Sequence, residues 1–97
     1  MPKGYWIAHV EVSDPDQYVH YVEGAKPAFD RYRAKFLARG GKNEEVEGAM
    51  GRSRHVVIEF PSYQDAFDCY HSEEYQAARA HRLPAGTATI TLVEGAD

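Results

Sequence analysis

A chain of 97 residues has room for one domain with a small core, residues 1–97, and not for two. Its 11 basic and 15 acidic residues leave a formal charge of -4, which argues against the clustered Lys and Arg of a nucleic-acid footprint. No apolar run reaches membrane-span length, Met1-Pro2-Lys3-Gly4 leads into no signal-peptide core, and the lone Cys69 forms no intrachain disulfide, so a cytoplasmic protein is expected.

Tyr5 to Val12 alternates as a strand. Trp6, Ala8, Val10 and Val12 share one face; Tyr5, Ile7, His9 and Glu11 share the other. Asp14-Pro15-Asp16 starts a helix: Asp14 caps it, Pro15 suits its first position, and Asp16 complements the dipole. Tyr18, Val22, Ala25, Phe29 and Tyr32 then form one apolar stripe. Pro27 lies inside that stripe and predicts a kink or brief break near Gly24-Ala25-Lys26.

Ala34 to Arg39 reads as a second strand, closed by Gly40-Gly41. Lys42 to Arg52 is polar and glycine-punctuated, and Glu45-Val46-Glu47 reads as the end of an edge strand and hairpin. Arg54 to Phe60 is the third strand, with Val56, Ile58 and Phe60 opposite His55, Val57 and Glu59. Ser62-Tyr63-Gln64-Asp65 resembles a capping box, and Ser72-Glu73-Glu74 is a second cap. Ser62 to Arg82 therefore predicts two short helices jointed near His71, with Arg79, His81 and Arg82 at the dipole's negative end. Thr87 to Val93 is the last strand, with Ile90 and Leu92 on its apolar side.

Strand, helix, strand, strand, helix, strand is the α+β, ferredoxin-like pattern. Right-handed crossovers put the first and third strands in the middle of an antiparallel sheet and both helical segments on one face. Seven tyrosines suit half-wet surfaces such as interfaces and pocket walls.

Five blocks carry a family resemblance: Lys3-Gly4-Tyr5-Trp6-Ile7-Ala8, Asp14-Pro15, Phe36-Leu37-Ala38-Arg39-Gly40-Gly41, Val56 to Ser62, and Cys69 to Gln76. Together they resemble the DUF1330 family, of unknown function, within the dimeric α+β barrel superfamily. The resemblance runs from Lys3 to about Gly95. It implies a homodimer whose two sheets pack through their uncovered faces. It also places the chain in a superfamily that includes cofactor-free monooxygenases, haem-degrading oxygenases, small isomerases and members without activity. His71 and the segment His81-Arg82-Leu83-Pro84 depart from the family's common form.

The uncovered face carries Tyr5, His9, Glu11, His55 and Glu59, and Arg39 joins them if it points the same way. Buried charges must be paired, wetted or gathered round a polar cavity. As a site, His9 acts as acid or base, Glu59 orients it, and Tyr5, Arg39 and His55 bind a small, partly anionic organic ligand. The protein is then a small-molecule binder and, where it is catalytic, an enzyme without cofactor. The alternative is a non-catalytic homodimer or assembly component in which Arg39 pairs with Glu59 or Glu11 and the polar face only specifies geometry. A metal set of His9, His55 and Glu59 matches no tight ligand spacing, so no metal is expected.

Overall fold

The computed structural model describes residues 2–96. Strand β1 (Gly4–Val12) is followed by helix α1 (Pro15–Arg31) and strands β2 (Lys35–Arg39) and β3 (Arg54–Phe60). Helices α2 (Tyr63–His71) and α3 (Glu73–Arg82) and a 3-10 turn (Leu83–Ala85) lead into strand β4 (Gly86–Glu94). The sheet order is β2-β3-β1-β4, with every neighbouring pair antiparallel. This is the ferredoxin-like arrangement, with β1 and β3 central.

The caps form as the side chains dictate. Asp14 accepts from the Gln17 amide at 3.2 Å, and Ser62 from the Asp65 amide at 3.1 Å. Ser72 accepts from the Tyr75 amide at 3.2 Å and donates to the Cys69 carbonyl at 2.7 Å. One serine thus closes α2 and opens α3. Helix α1 runs through Pro27 as one 17-residue element without a break, as the apolar stripe that resumes in register after it implies. Its buried Ala25, Ala28 and Phe29 hold the turns around Pro27 against the rest of the fold, which compensates for the missing amide. The strand expected at Glu45–Glu47 does not form; the segment is irregular and Val46 is 83% exposed. With no partner face for Val46, nothing offsets the cost of ordering a polar, glycine-rich stretch.

The core lies between helices and sheet. Trp6, Ala8, Val10, Val56, Ile58 and Phe60 are buried there, with Ile90 and Leu92 packed at its margin. Trp6 is its centre. Its ring lies 4.9 Å from Tyr75 and 5.4 Å from Phe29, and its indole N–H donates to the Ala66 carbonyl at 2.9 Å. Each fully buried large apolar side chain contributes about 1.5–3 kcal/mol.

Candidate functional site

Two sets of polar side chains flank the sheet, one on each side. On the bare side, four of the five expected site residues are present and half-buried. They separate into two pairs. Tyr5 donates to a Glu59 carboxylate oxygen at 3.4 Å, and Lys3 reaches the other oxygen at 3.3 Å. His9 and His55 face each other across β1 and β3 with their Nδ1 atoms 2.8 Å apart. That contact holds one proton between the two rings. Glu59 does not orient His9. A hollow of about 320 Å³ opens beside the histidines, walled by Glu44, Glu45, Glu47 and Met50 of the β2–β3 connection. Its walls are acidic. Among the described residues, no three His, Cys, Asp or Glu side chains are grouped to hold a metal ion.

Arg39 is not there. In β2, Phe36 pairs with Ile58 and Arg39 pairs with Val56, while the register shifts between Phe36 and Ala38. The bulge uses Leu37 as an extra residue, so Phe36 and Arg39 share the side that holds Val56 and Ile58. The expected pairing of Arg39 with Glu59 or Glu11 is therefore replaced. Glu59 takes Tyr5 and Lys3, and Glu11 accepts from the Ser53 amide at 2.9 Å.

On the helix side, α1 and the sheet enclose a cavity of about 40 Å³. Trp6, Phe29, Val56, Ile58 and Ile90 supply apolar walls, and Tyr18, Tyr21, Arg39, Arg54 and Arg82 supply its polar groups. Among the described residues, no Asp, Glu or His lines it. None of the three arginines is in a salt bridge among the described residues. Each instead lies by an aromatic ring: Arg39 at 4.0 Å from the Phe36 centroid, Arg54 at 5.9 Å from Tyr18, and Arg82 at 5.5 Å from Tyr21. Gly40, at φ 68, leaves room for Arg54: a Cβ there would strike Arg54 Nη1.

Arg82 is 6% exposed. Burial pulls its pKa down, but the Tyr75 and Tyr21 hydroxyls against it more than offset this, and the guanidinium stays charged. The Tyr21 and Tyr75 hydroxyls lie 2.9 Å apart. Burial pushes the Tyr21 phenol well above its ordinary range, with Tyr75 adding to the effect, and burial raises Tyr75 too. Both phenols keep their protons, and one hydroxyl donates to the other. The Arg54 and Arg82 Nε atoms are buried without a partner in the protein. The cavity is thus rich in donors and positive charge, and open to an acceptor. An outer hollow of about 270 Å³ adjoins it across Phe29, Phe36 and Arg39, between α1 and the β2 edge.

Among these cations, the sequence singles out only Arg39 as a ligand contact. Arg54 carries a legible signal, since it alternates with Val56, Ile58 and Phe60 and so falls on the apolar face. Arg82 carries one as well. Tyr75, Ala78 and Arg82 are spaced three and four apart and are all buried.

The family model described as "Domain of unknown function (DUF1330)" matches residues 3–96. The chain belongs to the DUF1330 family. Its fold recurs in solved structures. A protein of unknown function from Rhodopseudomonas palustris is 17% identical with a TM-score of 0.73, covering 99% of this chain and 84% of that one. SnoaB from Streptomyces nogalater, a cofactor-independent oxygenase, is 11% identical with a TM-score of 0.66, covering 100% and 96%. A dimeric ferredoxin-like protein of unknown function from Thermobifida fusca is 18% identical with a TM-score of 0.53, covering 96% and 91%. At these identities the likeness is one of fold, and DUF1330 shares it with monooxygenase-like proteins. No curated protein matches the chain in sequence. Among the described residues, no helix is long and apolar enough to cross a membrane.

Proposed function

We propose that this DUF1330 chain binds a small organic anion on the helix side of its sheet and pairs with a second copy through the bare side. The observation that carries the first part is the convergence of Arg39, Arg54 and Arg82 on one apolar cavity without a carboxylate among its walls. Arg82 is buried without a counter-charge, which costs several kcal/mol that an anionic ligand relieves, while Arg54 is half-buried and Arg39 exposed. The cavity of about 40 Å³ accepts a head group, not a whole metabolite. A ligand with a carboxylate among the arginines and an apolar body over Phe36 and Val22 fits the cavity and its outer hollow together. The bare-side hollow is the poorer host for an anion, because Glu44, Glu45 and Glu47 wall it.

In its catalytic form the protein is a cofactor-free enzyme, the activity class of SnoaB, which has the same fold. The residues at hand then set the chemistry. With no Asp, Glu or His lining the inner cavity among the described residues, an ordinary general base would come from Glu23 or Asp30 of the outer hollow. Arg39, Arg54, Arg82 and the Tyr21 hydroxyl are suited to stabilise negative charge that develops on the ligand.

The bare side has a different use. Tyr5 pairs with Glu59 and His9 with His55, whose Nε2 is buried without a partner among the described residues, and the half-buried Ile7 and Val57 lie between the two pairs. Such a face fits the sheet-to-sheet seam of a dimeric α+β barrel, and the Thermobifida fusca neighbour is a dimer. Cys69, buried and unpaired, suits a reducing compartment such as the cytoplasm. Native mass spectrometry after gentle purification tests the ligand reading. The wild type carries a small organic acid, and Arg39→Ala loses it. Retention of the same molecule by Arg39→Ala would overturn the assignment.

A further inference from the structure

Arg82 separates the inner cavity from a second space. A hollow of about 320 Å³ lies between the end of α3 and β4, and Arg82 and Ile90 belong to the walls of both. Its other walls include Tyr70, Arg79 and Gly86 to Ala88, and among the described residues no Asp or Glu lines it. Arg79 Nε and Arg82 Nε are both buried without a hydrogen-bond partner in the protein. Strand β4 is an edge that pairs only with β1, so alternate backbone N–H groups point away from the sheet. Last-turn cations complement a helix dipole from solvent, as the exposed His81 does. Dipole complementarity does not require Arg82 to be buried, or two Nε atoms to go unpartnered in one wall.

We propose that this hollow is a second anion site, taking a compact oxyanion, phosphate or carboxylate, between the Arg79 and Arg82 guanidiniums. The planar fork of each arginine matches two oxygens of such a group. Arg82 has five N–H donors, enough to face the cavity on one side and the hollow on the other. The inference rests on the hollow's own walls, and only Arg82 ties it to the ligand proposed above.

The test uses inorganic phosphate and acetate as separate probes, titrated into the full chain while the arginine Nε–H signals are followed by NMR. Phosphate, acetate or both should shift Arg79 and Arg82 saturably, whether or not acetate also reaches Arg39 in the inner cavity; the tighter of the two identifies the head group. Arg79→Gln should weaken that probe about tenfold, the worth of one charge-assisted hydrogen bond. Arg39→Gln should bind it as the wild type does, whatever becomes of the inner-cavity ligand. Arg79→Lys keeps the charge at the helix end and loses the fork, so it supplies a folded variant if Arg79→Gln melts early, and it too should bind more weakly. Wild-type affinity in either Arg79 variant, an equal loss in Arg39→Gln, or no saturable shift with either probe would overturn the proposal.

Discussion

The Arg39 guanidinium lies 4.0 Å above the ring of Phe36, on the helix side of the sheet. They share that side because Leu37 is left unpaired in the bulge that separates Phe36 from Ala38. Deleting Leu37 closes the bulge and keeps Phe36 opposite Ile58 and Arg39 opposite Val56, so Arg39 stays on the helix side. The deletion variant should fold cooperatively, because β2 is an edge strand and Leu37 is half exposed. It should bind a small organic carboxylate as the wild type does, and Arg39→Gln should bind it about tenfold more weakly, both measured by calorimetry. Unchanged affinity in Arg39→Gln would remove Arg39 from the site.

The two sides of β3 should respond differently to the same charge. Ile58 is 3% exposed among Trp6, Phe36 and Val56, and Ile58→Asp should abolish cooperative unfolding through an unpaired buried carboxylate. Val57 is half-buried on the bare side, and Val57→Asp should leave the monomer folded and disperse the proposed dimer. Sedimentation of the two variants checks this. An Ile58→Asp form that melts cooperatively, or a Val57→Asp form that sediments as the wild type, contradicts it.

Tyr21→Phe should destabilise the chain by about 1–2 kcal/mol, since Tyr75 is left with a buried hydroxyl and one partner fewer. Denaturant unfolding measures the change. No loss would mean that the 2.9 Å contact between the two hydroxyls contributes nothing net.

High pH should unfold the protein through the same pair. Tyr21 and Tyr75 both have folded pKa values above the ordinary 10.0, mainly through burial. A group raised in the folded state contributes stability that is complete below its unfolded value and is lost as pH rises above it. The melting temperature should therefore fall above about pH 10. Absorbance of tyrosinate should show Tyr21 and Tyr75 ionising only as the chain unfolds. Early ionisation of every tyrosine contradicts this.

Cys69 should stay unmodified by iodoacetamide in the native protein at pH 8, since burial pushes its thiol up to about 12. Labelling should appear only with denaturant. Labelling at the rate of a free thiol would show that the Cys69 side of α2 opens readily.

Most of the fold was legible because its signals are local. The caps at Asp14, Ser62 and Ser72 are side chain to backbone bonds a few residues apart, and the strand faces follow from alternation. The bare-side residues Tyr5, His9, His55 and Glu59 were legible for the same reason, but their pairing was not. Which ring meets which depends on the register between β1 and β3, which sets His9 opposite His55 and Tyr5 opposite Glu59. Arg39 was misplaced because nothing in Lys35–Arg39 distinguishes a bulged strand from a plain one. The irregular β2–β3 connection escaped for a related reason: the absence of a packing partner outweighed a local cue at Glu45–Glu47.

The two sides of the sheet can be set against each other in one titration. Benzoate, whose carboxylate fits the inner cavity and whose ring fits over Phe36, is added to the labelled full chain, and side-chain and backbone shifts are mapped by NMR. The account predicts saturable shifts at Tyr18, Tyr21, Arg39, Arg54 and Arg82, with Tyr5, His9, His55 and Glu59 still. Shifts gathered at His9, His55 and Glu59, with the arginines unmoved, would contradict it.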